Sequence, residues 1–81
     1  MGVLTIYSRP GCHLCDEMKA TVARTIEGRA DITLDEVDIS RDPQLLALHE
    51  LEIPVLLIDG KKAAKYRITE TELMRKLITS P

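Results

Sequence analysis

The chain has 81 residues, of which 11 are Lys or Arg and 13 are Asp or Glu, so its formal net charge is −2 at pH 7 with histidine neutral. A chain of this length makes one small α/β-sized unit, expected to span residues 1–81, that buries only about 60–65% of its unfolded surface and has a thin margin of stability. The near-balance of charge, the lack of Trp and Phe, and the presence of only Tyr7 and Tyr66 as aromatics argue against a general nucleic-acid or anionic-membrane partner, which needs a basic footprint or a stacking platform.

Val3-Leu4-Thr5-Ile6-Tyr7 is apolar and β-branched enough for a buried strand. Ser8-Arg9-Pro10-Gly11 ends it, with Pro10 and Gly11 as the breakers. Leu14, Met18, Val22 and Ile26 recur every fourth residue and predict a helix over residues 13–27, stopped by Gly28. Ile32 and Leu34, then Val37 and Ile39, outline a second strand whose alternation breaks at Asp35-Glu36, where a bulge is expected. Strand, helix and strand in that order predict a right-handed crossover with parallel strands.

Asp42-Pro43 offers a cap with proline at the first helical position, and a short helix to Glu50 or Leu51 is expected with Leu45, Leu48 and Leu51 inward. Ile53-Pro54 separates it from the apolar run Val55-Leu56-Leu57-Ile58. Asp59-Gly60 is a hairpin signal of the type I′ kind and leads into an antiparallel strand over Lys61–Arg67. Thr69-Glu70-Thr71-Glu72 reads as a capping box for a last helix marked by Leu73 and Leu77. The predicted order is β-α-β-α-β-β-α in one α/β layer structure, with no linker or repeat.

No apolar run approaches the roughly 20 residues of a membrane span, and the N-terminus carries no basic segment followed by a long apolar one. A cytoplasmic chain with no membrane partner is expected. In a reducing cytosol a close cysteine pair is more often catalytic, redox-sensing or metal-binding than structural.

The chemistry lies in Cys12-His13-Leu14-Cys15, which holds both cysteines of the chain at a strand-to-helix junction. That arrangement reads as a thiol–disulfide redox site of the thioredoxin type. As a staple it would close a loop of about four residues and contribute only about 2 kcal/mol in the chain-entropy picture. Cys12 would face unpaired N–H groups and the positive end of a helix dipole, which favour the thiolate. Arg9 adds a charge, whereas Asp16 and Glu17 oppose it. Cys15, one turn further in, can resolve a mixed disulfide formed at Cys12. The roles follow from position: Cys12 is the exposed nucleophile and Cys15 the more buried resolver.

The rival reading is a non-enzymatic module in which Cys12 and Cys15 hold a metal ion or iron–sulfur cluster between two chains. A closed zinc site within one chain lacks its four ligands, since only His13, wedged between the cysteines, and the distant His49 remain. His13 could tune a redox potential or simply point to solvent; His49 is expected on a helix surface. Lys61, Lys62, Lys65 and Arg67 are expected to guard an exposed edge strand, with an acidic partner as the alternative.

Three segments in order, Ile6-Tyr7-Ser8-Arg9-Pro10-Gly11-Cys12-His13-Leu14-Cys15, Val37-Asp38-Ile39 with Asp42-Pro43, and Ile53-Pro54-Val55, resemble the glutaredoxin branch of the thioredoxin fold, and more closely its short bacterial glutaredoxin-like members. The resemblance implies a thioredoxin-like sandwich with a four-stranded mixed sheet in order 2-1-3-4, the third and fourth strands antiparallel to the first two. It also implies a cis Pro54 beside the cysteines, where the residues alone favour a trans proline opening a strand. The backbone of Ile53 would then pair with an extended substrate. Arg9 stands where many glutaredoxins carry a basic residue for a glutathione carboxylate, Leu14 where they commonly carry an aromatic, and Thr69 caps the last helix near the same ligand. Where they carry Gly-Gly and an acidic residue, this chain reads Lys65-Tyr66-Arg67, which predicts weakened glutathione binding. The function implied is a monomeric thiol–disulfide oxidoreductase that reduces protein or glutathione disulfides. It would need no bound cofactor, with glutathione as a co-substrate and glutathione or a reductase as electron donor.

Overall fold

The computed structural model describes residues 2–79, so residues 1, 80 and 81 of the expected unit lie outside the described residues. The elements are β1 (Gly2–Ser8), α1 (His13–Ile26), β2 (Ile32–Asp38), a 3-10 turn (Ile39–Arg41), α2 (Pro43–His49), β3 (Val55–Ile58), β4 (Lys61–Lys65) and α3 (Glu70–Thr79). The strands form one mixed sheet in the order β2-β1-β3-β4.

Strands β1 and β2 are parallel and pair without a break from Gly2 with Ile32 to Ser8 with Asp38. The bulge expected at Asp35-Glu36 is therefore absent. Asp35 is exposed, and the Glu36 carboxylate takes hydrogen bonds from Ser8 and Lys19, so two charges are accommodated without a slip in register. The sheet's irregularity lies instead between β3 and β4, at Leu56/Leu57. Strand β3 runs antiparallel to β1, and β4 runs antiparallel to β3. Only β3 opposes the first two strands, because the Asp59-Gly60 hairpin turns β4 back into the direction of β1; the expectation that both would oppose them is corrected. Asp59 (φ 50°) and Gly60 (φ 84°) both adopt the left-handed backbone of a type I′ turn.

Alternation along the strands puts Leu4 and Ile6 of β1 and Leu56 and Ile58 of β3 on one face. There they pack with Ile32, with Met18 and Val22 of α1, with Ile68 just before α3 and with Leu73 in its first turn. Tyr7 points to the opposite face, and its ring lies 4.9 Å from that of His49 in α2. Two helices thus cover one face and the short α2 the other. Helix α1 stops where expected, with Gly28 in the left-handed region just past it (φ 81°).

Helix α2 starts as read, with the Asp42 carboxylate accepting from the Gln44 and Leu45 amides at 2.9 and 3.3 Å and Pro43 in the first turn. Its inward face differs from the expectation. Leu48 and Leu51 are 68% and 84% exposed, whereas Leu45 and Leu46 are half-buried. The His49 side chain, expected at the surface, is only 17% exposed. With seven residues the helix has room for one inward stripe. The Tyr7 ring and the Glu52 carboxylate select His49 for it. Because a seven-residue helix has little stability of its own, Asp42→Ala is expected to cost about 1 kcal/mol. Urea unfolding checks this, and an unchanged midpoint would mean that packing alone holds α2.

Strand β4 ends at Lys65, two residues short of the expected boundary. Tyr66 leaves it in the left-handed region (φ 70°), with its amide donating to the Pro54 carbonyl at 2.8 Å. The Ile53–Pro54 peptide bond is cis. Thr69 caps α3 as read: its hydroxyl accepts from the Glu72 amide and donates to the Glu72 carboxylate, both at 3.1 Å.

Candidate functional site

The end of β1 and the start of β3 are neighbours through the Tyr7–Val55 pair. Two connections therefore meet at one end of the sheet: residues 9–12 after β1, and Ile53-Pro54 before β3. The first makes a sharp reversal. Gly11 sits at φ 81°, where a side chain would be strained, and the Cys12 amide donates to the Arg9 carbonyl at 3.3 Å. The turn delivers Cys12 as the N-cap of α1, and its Sγ accepts from the Cys15 amide at 3.1 Å. Cys12 and Cys15 form a disulfide with Cα atoms 5.2 Å apart. Cys12 is half-buried, while Cys15 is 2% exposed, facing the interior with Met18 and Val22. Access is thus unequal along one covalent bond.

The predicted flanking residues divide between two clefts. Leu14 and Thr69 line a groove of about 440 Å³ between α1 and the segment entering α3, together with Tyr66, Arg67 and Ile68. Arg9 lies in a separate cleft of about 270 Å³ with Ser8, Lys19, Glu36 and Asp38. The structure therefore brings Leu14 and Thr69 together and leaves Arg9 on another side of the cysteine turn. Ile53 donates its amide to the His49 carbonyl at 3.1 Å, so half of the backbone pairing expected with an extended substrate is already engaged. Pro54 is buried. His13 points to solvent, its side chain 87% exposed and 3.8 Å from the Glu17 carboxylate.

Two polar networks frame this end of the sheet and were not legible in the sequence. In one, the Glu36 carboxylate accepts from Lys19 at 2.9 Å and from the buried Ser8 hydroxyl at 3.0 Å. In the other, the Glu52 carboxylate accepts from Lys62 at 3.0 Å and lies 3.3 Å from Nδ1 of His49. Glu52 thereby ties the end of α2 to β4 just before Ile53-Pro54. No local signal announces the Glu36 network or the Glu52–Lys62 contact, since those partners come from different elements; only His49 and Glu52 are near in sequence, three residues apart. Among the described residues, no group of three or more His, Cys, Asp or Glu is placed to hold a metal ion.

These networks set an acid limit to stability. The Lys19 hydrogen bond holds the Glu36 carboxyl below the usual range, with help from Ser8 and against partial burial. The Ser40 hydroxyl and then its amide lower Asp38, and the Lys62 hydrogen bond, followed by His49, lowers Glu52. Each group's folded pKa lies below its unfolded value, so its contribution is present above about pH 4 and is lost as pH falls through the lower folded pKa. Lys19 is raised, chiefly by the Glu36 hydrogen bond, so its contribution is lost only at strongly alkaline pH. Urea midpoints are expected to be flat from neutral pH to about pH 5 and to fall below about pH 4. Glu36→Gln is expected to lower the neutral plateau and flatten the acid slope; an unchanged slope would contradict this assignment.

A four-stranded mixed sheet, two helices on one face and one on the other, and a Cys-x-x-Cys disulfide at the first helix N-terminus define a protein of the thioredoxin fold with a redox-type cysteine pair. The chain belongs to the glutaredoxin-like domain family, whose model matches residues 3–78. It is 31% identical to a Dictyostelium discoideum protein described as a glutaredoxin-like protein YDR286C homolog, over 94% of this chain and 75% of that one. The X-ray structure of protein XcR50 from X. campestris superposes with a TM-score of 0.78 at 29% identity, covering 96% of this chain and 99% of the other. Desulfothioredoxin from Desulfovibrio vulgaris Hildenborough superposes with a TM-score of 0.72, covering 96% and 80% of the two chains; at 19% identity it bears on the fold alone. No helix among the described residues is long and apolar enough to cross a membrane.

Proposed function

We propose that the protein is a thiol–disulfide oxidoreductase that reduces protein disulfides or mixed disulfides with glutathione. The observation that carries this reading is the unequal exposure of the joined pair, with Cys12 reachable at the helix start and Cys15 enclosed behind it. In the reduced protein the Cys15 amide and the helix N-terminus favour the Cys12 thiolate, the only form that attacks a disulfide.

The reaction is two exchanges. The Cys12 thiolate attacks one sulfur of the substrate, forming a mixed disulfide and releasing the other sulfur as a thiolate that takes up a proton. Cys15, losing its proton, then attacks the Cys12 sulfur. The Cys12–Cys15 bond forms, the second substrate thiolate leaves, and two electrons have passed to the substrate. A thiol such as glutathione, or a dithiol reductase, returns the protein to the dithiol state by the reverse exchanges. No bound cofactor takes part. Leu14 and Thr69 line the groove where a substrate chain would lie, and Arg9 supplies a cation from a separate cleft. With the Ile53 amide bonded to His49, the Ile53 carbonyl next to Pro54 is the backbone group proposed to accept from the substrate. The chain acts as a monomer in this scheme.

The test follows NADPH loss with a model disulfide, using either glutathione and glutathione reductase or thioredoxin reductase as the donor system. Turnover with either supports the reading and names the donor class. No turnover with both would overturn it, and metal analysis of the purified protein would then test the two-chain cluster alternative.

A further inference from the structure

We propose that the surface formed by Leu48, Leu51, Lys65, Tyr66 and Arg67 docks disulfide-bearing protein segments that are acidic and carry an apolar side chain near the cysteine. This inference rests on the oxidoreductase reading and adds a substrate class to it.

Leu48 and Leu51 are 68% and 84% exposed and lie one turn apart, immediately before Ile53-Pro54. Single exposed leucines are common, but Leu51 is joined through its backbone to a third apolar body, Tyr66. The Tyr66 hydroxyl donates to the Leu51 carbonyl at 3.0 Å, and its half-exposed ring lines the groove shared with Leu14, the residue between the two cysteines. Through Tyr66 a path therefore runs from the end of α2 to the groove at the cysteine helix.

The charge beside that path is of one sign. Residues 61–67 contain Lys61, Lys62, Lys65 and Arg67 and no acidic residue. Lys62 is paired with Glu52, whereas Lys61, Lys65 and Arg67 make no ion pair among the described residues. Lys65 Nζ lies 5.6 Å from the centre of the Tyr66 ring, which holds a cation over that path. Protection of an edge strand explains Lys61 and Lys62, which lie within β4. It also covers Lys65, the last residue of β4, but it does not explain Arg67, which lies beyond the strand and lines the groove. Glu17 and Glu72 line the same groove with Leu14 and Thr69. The acidic residues of the segment are therefore placed at Lys65 and Arg67, and its cysteine and apolar side chain in the groove at Leu14 and Tyr66.

The test compares two disulfide-linked peptides of equal length and identical cysteine context, one with Asp, Glu and Leu flanking the cysteine and one with Lys and Leu. A small neutral disulfide serves as the reference. The reduced wild-type protein is expected to favour the acidic peptide about tenfold in kcat/KM at low salt, with the preference shrinking as salt screens it. In the double variant Lys65→Glu/Arg67→Glu the ratio between the two peptides is expected to invert; taken within one protein, that ratio cancels any general loss of activity or folding. Leu51→Ala is expected to lower kcat/KM about fivefold for the acidic peptide bearing Leu, but not for the same peptide with Ser in its place. Turnover of the neutral disulfide with equal rates on both peptides overturns the docking surface and leaves the oxidoreductase reading standing. A preference for glutathionylated peptide whatever its flanking charge overturns it in favour of a glutathione site. No turnover of any disulfide by the wild type overturns both.

Discussion

Cys12→Ser is expected to lower disulfide turnover by at least about a thousandfold, because it removes the one sulfur that a substrate can reach. Cys15 cannot substitute, since it is 2% exposed and faces Met18 and Val22. Serine also preserves the N-cap, its oxygen accepting the Cys15 amide in place of sulfur, so the loss reports on chemistry rather than folding. Cys15→Ser is expected to behave differently. The first exchange still occurs, and the mixed disulfide at Cys12 accumulates, detected as the added mass of the substrate thiol. If that variant keeps turning over with glutathione, an external thiol resolves the intermediate. An active Cys12→Ser protein, or a mixed disulfide trapped on Cys15, would reverse the assigned roles.

The second large effect concerns the fold that supports the site. Leu73 is fully buried and joins the first turn of α3 to the core with Val22, Leu56 and Ile68. Its replacement by alanine removes buried methylenes and leaves a cavity that a short helix closes only in part. The expected cost is about 3 kcal/mol. In a domain whose whole stability is on the order of 5–10 kcal/mol, that is a large fraction. The adjacent Met74, 53% exposed, is the control: Met74→Ala is expected to change stability by less than about 0.5 kcal/mol. Denaturant midpoints with unchanged slopes would measure both. Equal effects at the two positions would mean that α3 is not held by the Leu73 side chain.

Much of the architecture was legible because its signals are local. The four-residue recurrence of Leu14, Met18, Val22 and Ile26 specifies which face of α1 is apolar whatever it packs against. Asp59-Gly60 permits the backbone of a tight turn, and Asp42-Pro43 and Thr69-Glu72 satisfy helix N-termini within three residues. The cysteine spacing carries its own chemistry, as one turn of helix brings two sulfurs within bonding reach. Strand direction was harder, and the run of β4 followed only from the reversal at the hairpin.

Tertiary structure decided what depends on partners far along the chain. Apolarity alone put Leu48 and Leu51 inside, but the single stripe that α2 can bury went to Leu45, Leu46 and His49, because the ring of Tyr7, from a different element, packs at a tilt against His49. Glu36 finds Lys19 and Ser8 at separations of 17 and 28 residues, and Tyr66 reaches the Leu51 carbonyl across 15. The division of Arg9 from Leu14 and Thr69 also belongs here, since it depends on how α1 and α3 lie across the sheet. By itself the sequence determined the cysteine pair, its place at a helix start and the order of elements, since neighbours within a turn set backbone preference and periodicity. Which side chains surround that pair was decided by strand order and helix packing, which join residues that no local pattern relates.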